Sequence, residues 1–135
     1  MEEKPKLKKV YVAAAVIIED NKLFATQRGY GEFKDFFEFP GGKIEPGETP
    51  EQALIREIKE ELDTTISIDR FFIEVNYDYP KFSLNMKCFL CSIDKEHLKL
   101  LEHESAKWVT KSDIYSLNWL PADKDVLDKI YNEIF

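Results

Sequence analysis

Glu57, Glu60 and Glu61 stand within one short segment that reads as helix, with Arg56 immediately before the first of them. At about 100° per residue, positions related by i, i+3 and i+4 project from one face, so the three carboxylates meet within a turn. Like charges so placed cost an isolated helix about 0.2 to 0.5 kcal/mol per pair. A divalent cation reverses the sign of that cost. Hard oxygen ligands suit Mg²⁺ or Mn²⁺, and Mg²⁺ is usually held by a few carboxylates together with substrate phosphates. Taken by itself, the cluster also reads as a solvated acidic helix face.

The elements around the cluster narrow that choice. Thr49 is a good N-cap, Pro50 suits the first helical position, and Gln52 completes a capping box. Leu54, Ile55, Ile58 and Leu62 repeat at helical spacing and predict an apolar stripe that packs on a core. Ahead of the helix, Gly41-Gly42 and Pro46-Gly47 are turn signals on either side of Lys43-Ile44-Glu45. Such turns bring backbone groups close to a ligand.

Gly42, then Glu48, then Arg56-Glu57-Ile58-Lys59-Glu60-Glu61 at these spacings resembles the signature of the Nudix hydrolases. The chain departs from it at the end, where Asp63 and Thr64 replace a glycine and an aliphatic residue. That glycine ends the helix in a left-handed turn, which Asp tolerates at a loss of up to about 1 kcal/mol. Thr26-Gln27-Arg28, Glu38 to Glu45, Gly47 to Ala53, Tyr77-Asp78-Tyr79-Pro80, Glu102 ahead of Trp108, and Pro121-Ala122-Asp123 extend the resemblance to the MutT-like branch. That branch contains nucleoside triphosphate diphosphatases acting on 8-oxo-dGTP or CTP.

The resemblance implies an α/β fold, an α/β/α sandwich with a mixed β-sheet, over residues 10–135. It implies a site in which Glu57, Glu60, Glu61 and the carbonyl of Gly42 hold Mg²⁺ or Mn²⁺, with Glu102, or else Glu104, adding a ligand. Glu57, oriented by Arg56, is then the general base, with Glu48 supporting the arginine. The expected reaction is attack at the β-phosphorus of a nucleoside triphosphate, giving monophosphate and pyrophosphate. A Nudix hydrolase of another nucleoside diphosphate derivative, such as ADP-ribose, and a noncatalytic nucleotide sensor are the alternatives.

The substrate-facing residues are open to two readings each. Arg28, at the end of a strand, is either a fork for a triphosphate or a surface arginine. Tyr79 is either a core aromatic or a platform for the base, and Phe39 joins the substrate-binding set through the resemblance. Asp123 is either a helix cap or the residue that meets the base. As a carboxylate it accepts from the exocyclic amine of cytosine, and when protonated it can also donate to the altered edge of 8-oxoguanine.

The whole chain sets bounds on these readings. Its 135 residues and 44% hydrophobic content fit one domain with a real core. A net charge of −7 argues against a nucleic-acid polymer as partner. Residues 1–9 read as a mobile tail with no signal-peptide core, and Val10 to Ile18 is too short to span a bilayer, so the expected setting is cytoplasmic, with no membrane partner. The expected assembly is a monomer or weak homodimer. Cys88 and Cys91 fall on a predicted strand, where a separation of three puts the thiols on opposite faces and so disfavours zinc. His97 and His103 receive no role. Strands are predicted over 10–18, 22–27, 65–76, 82–93 and 108–109. A hairpin turn is expected at Glu19-Asp20-Asn21 and a mobile lid-like loop over 29–35. A brief helical turn capped by Ser112-Asp113 precedes a C-terminal helix beginning at Pro121.

Overall fold

The computed structural model describes residues 7–93 and 105–135. Strand β1 (Lys8–Glu19) turns back at Asp20 and Asn21 into β2 (Lys22–Gln27). Both turn residues adopt left-handed φ, 51° and 61°, as a tight two-residue hairpin requires. Then come β3 (Phe37–Glu38), β4 (Gly41–Lys43), helix α1 (Pro50–Leu62), β5 (Ser67–Asp78), β6 (Phe82–Ser92), β7 (Ser105–Val109) and helix α2 (Lys124–Glu133). Lys8 and Lys9, expected in the tail, instead pair with Phe82 and Ser83, because β1 runs parallel to β6 along its length.

Among the described residues the remaining strand pairings are antiparallel, so the sheet is mixed. Next to their hairpin β1 and β2 pair directly, Ile18 with Leu23 and Glu19 with Lys22. Further along, the chain from Phe37 to Lys43 takes the place between them. There β3 pairs with the end of β2, and β4 pairs with the middle of β1. This opening in the sheet holds the glycine-rich stretch.

Ala13 to Ile17 are all at most 3% exposed, since both faces of β1 are covered. On one face Ala13, Ala15, Ile17, Phe89 and Cys91 pack with Leu54, Ile58 and Leu62 of α1. On the other, Ala14, Val16, Met86, Cys88 and Leu90 pack with Val126, Leu127 and Ile130 of α2. The layers are therefore helix, sheet, helix, and the two free thiols lie on opposite faces as the spacing predicts. Ile55, placed by the periodicity on the buried stripe, is instead 42% exposed, and Ala53 takes the buried position.

Ile114–Ser116 form a 3₁₀ turn, but the Asp113 side chain does not cap it. The Asp113 carboxylate instead accepts from the Thr110 hydroxyl at 2.9 Å. A second 3₁₀ turn, Pro121–Asp123, leads into α2. Among the described residues no helix is long and apolar enough to cross a membrane.

Candidate active site

Helix α1 is started by the capping box that the sequence predicts. Gln52 N–H donates to Thr49 Oγ1 at 3.1 Å, and Thr49 N–H donates to Gln52 Oε1 at 2.9 Å. Asp63 ends the helix in the left-handed conformation, φ 51°. Between these ends Arg56 ties the helix to the preceding loop. Its Nε and Nη2 donate to the two oxygens of Glu48 at 2.8 and 2.9 Å, a bidentate pair. Nη2 also donates to the Lys43 carbonyl at 3.0 Å, and Nη1 donates to Glu57 Oε1 at 2.8 Å. The hydrogen bonds from Arg56, then that from the Glu45 N–H, hold the Glu48 carboxyl down at about 2. The same carboxylates, Glu48 first and Glu57 second, hold the Arg56 proton more tightly than usual.

Two of the three clustered glutamates turn toward the glycines. Gly41 N–H donates to Glu61 Oε2 at 3.3 Å, and Glu61 is buried. A Cβ on Gly42 would overlap the Glu57 carboxyl, and one on Gly41 would overlap the Ala13 carbonyl, so only glycine permits this approach. Glu60 stays on the rim, its side chain 53% exposed, 3.5 Å from Arg56 Nη1. Among the described residues no three His, Cys, Asp or Glu side chains approach closely enough to hold a metal by themselves. Glu102 and Glu104 lie outside the described residues. The donor set nevertheless fits a divalent cation: hard oxygens of Glu57 and Glu61 face a backbone that glycine leaves accessible.

These glutamates line one end of a cavity of about 630 Å³ that opens on the α2 face of the sheet. Arg28, Glu38, Phe39, Tyr79 and Asp123 line the same cavity. Arg28 Nη1 lies 3.5 Å from Glu38 Oε2. The sequence resemblance includes Glu38 without giving it a role of its own. Alternation between Phe37 and Phe39, both buried, was the signal that it points the other way. Phe39 packs on Trp119 at 5.1 Å between ring centroids. Tyr79 is 6% exposed, stacked on Phe82 at 5.0 Å and met edge-on by Phe33 at 5.6 Å. Phe33 belongs to the loop 28–36, which Arg28 and Asp35 close at its base through Arg28 N–H to Phe36 O and Asp35 N–H to Arg28 O.

Asp123 is 3% exposed and makes no side-chain cap bond to α2, so the capping alternative does not describe it. Its Oδ2 has no hydrogen-bond partner among the described residues. Burial first, and the nearby Glu38 charge second, push this carboxyl well above the usual range.

The family model of the NUDIX domain matches residues 9–130. This chain belongs to the NUDIX family. The chain is 31% identical to the 8-oxo-dGTP diphosphatase of Escherichia coli over 126 residues, 92% of this chain and 98% of that protein. It is 27% identical to the CTP pyrophosphohydrolase of the same organism over 123 residues, 90% of this chain and 91% of that protein. In fold, this NUDIX domain matches the crystal structure of the MutT protein of Methanosarcina mazei with a TM-score of 0.85 at 20% identity, covering 97% and 99% of the two chains.

Proposed function

We propose that this NUDIX hydrolase cleaves a nucleoside triphosphate to a monophosphate and pyrophosphate with the help of a divalent cation, Mg²⁺ or Mn²⁺. The observation that carries this reading is the Arg56 network, which fixes Glu57 against Gly42 at one end of a cavity whose other end presents Tyr79 and Asp123. Glu57, Glu60, Glu61 and the Gly42 carbonyl are the residues assigned to hold the cation, with Glu102 as a further ligand. Such an ion neutralises phosphate charge and acidifies a water when bound. Glu57 takes the proton of the attacking water, and Arg56 keeps its carboxylate aimed. Glu48 in turn fixes the guanidinium.

The base end favours a nucleotide whose edge both donates and accepts. Burial first, and the Glu38 charge second, favour the protonated form of Asp123, and in that form it can do both, which suits 8-oxoguanine and cytosine. The names of the two Escherichia coli relatives support the same pair of substrates. Arg28 lies at this end with Glu38, so of the readings open to it we assign it to the nucleoside, neither to a triphosphate nor to a plain surface role. We place the enzyme in the cytoplasm.

Turnover of 8-oxo-dGTP, dGTP, CTP and dCTP with Mg²⁺ tests the reading. In heavy-oxygen water the label should enter pyrophosphate; label in the monophosphate refutes attack at the β-phosphorus. Glu57→Gln should lose about 10² to 10⁴ in kcat while nucleotide binding is kept. A loss under tenfold would move the base elsewhere.

A further inference from the structure

Three segments that line the cavity meet at Tyr79. Its ring contacts Phe33 of the loop 28–36 and Phe82 across the β5–β6 turn. Its hydroxyl accepts a hydrogen bond from the Ala122 N–H at 3.2 Å, a buried contact between residues far apart in the chain. Ala122 immediately precedes Asp123, whose Oδ2 has no hydrogen-bond partner among the described residues. The 3₁₀ turn carrying both has no side-chain cap. It is held at its start by Leu120 N–H to Phe37 O at 3.1 Å, and within by Asp123 N–H to Leu120 O at 3.0 Å. The tyrosine hydroxyl therefore holds the Pro121–Ala122 peptide, one residue ahead of Asp123, from its N–H side, while the Lys124 N–H bonds to its Pro121 carbonyl.

We propose that Tyr79 is a positioning residue for base discrimination, acting through its hydroxyl bond to the Ala122 N–H to aim Asp123 at the base. This rests on the base contact assigned to Asp123 above. A buried N–H left without its acceptor is costly, and rotation of its peptide toward another acceptor relieves that cost. Rotation there displaces the carboxyl that follows. Aromatic stacking alone predicts something different, because Tyr79→Phe keeps the ring against Phe82 and Phe33.

A double-mutant cycle separates the two. Discrimination is read as the ratio of kcat/KM between the best and the poorest of 8-oxo-dGTP, dGTP, CTP and dCTP, for wild type, Tyr79→Phe, Asp123→Ala and the double variant. A thermal melt of each shows that it is folded. Tyr79→Phe should lower discrimination about tenfold, through KM rather than kcat. In the Asp123→Ala background the same substitution should change it by less than about twofold, because the aimed group is gone. Multiplicative losses in the double variant overturn the inference and leave the role of Asp123 standing. Discrimination unaltered in Asp123→Ala overturns the base-reading role, and this inference with it.

Discussion

Asp123 is a carboxyl placed where a charge is costly, 3% exposed and next to Glu38. Its folded pKa is raised well above the ordinary 3.8. Below that ordinary value both folded and unfolded chains carry the proton. As pH rises, the unfolded chain releases it first, so the unfolded state gains and stability falls until the folded carboxyl also ionises. Asp123→Asn has no proton to release. Its melting temperature should therefore draw ahead of wild type as pH rises from about 4 to 8, with the two close together at the acid end. A gap of constant size across that range would show that the carboxyl ionises normally. Sequence alone could not decide between cap and base contact for Asp123, since both need an Asp at the start of a helix and only burial tells them apart. Arg28 was equally undetermined, because its partner Glu38 reaches it through the pairing of β2 with β3.

Helix α1 shows which element-level readings local chemistry supports. Thr49 and Gln52 satisfy each other's backbone donors, a reciprocal arrangement within four residues that needs no tertiary information. The buried stripe was less legible. Leu54, Ile58 and Leu62 are spaced by four and lie along one line of the helix, whereas Ile55 is rotated by about 100° from Leu54. Ala53 lies the same angle to the other side, where a small residue fits against the sheet and is fully buried. Which flank turned inward depended on where the Arg56 and glutamate face had to point. The other end of α1 carries a departure with a measurable cost. Asp63 holds φ 51°, a region that disfavours side chains bearing a Cβ, although Lys59 partly compensates with an ion pair at 3.4 Å. Asp63→Gly should raise stability by up to about 1 kcal/mol in urea unfolding, with the entropy of glycine in the unfolded chain limiting the gain. A loss of stability would mean that the Lys59 pair outweighs the backbone strain.

For the whole molecule, the long strands were legible as apolar stretches and the resemblance implied a sheet covered by helices on both faces, but neither disclosed the opening between β1 and β2. That opening depends on the Phe37 to Lys43 stretch pairing with two different strands, which no local pattern encodes. It matters because the site spans both layers. The glutamates come from α1 on one face, while the cavity that they line opens on the face covered by α2. The hydrophobic clusters themselves are separate, since successive side chains of β1 and β6 point to opposite sides and each cluster packs its own helix. Ile58 and Ile130 are each fully buried, one in each cluster. Ile58→Val and Ile130→Val should each cost about 0.5 to 1.5 kcal/mol in urea unfolding, through the lost methylene and the small cavity left behind. Because no packed side chain is shared between them, the double variant should lose the sum within about 0.5 kcal/mol. A coupling clearly beyond that margin would show that the sheet passes packing strain from one helix layer to the other. Substitutions under α2 would then be expected to disturb the Glu57 end of the cavity as well as the Asp123 end.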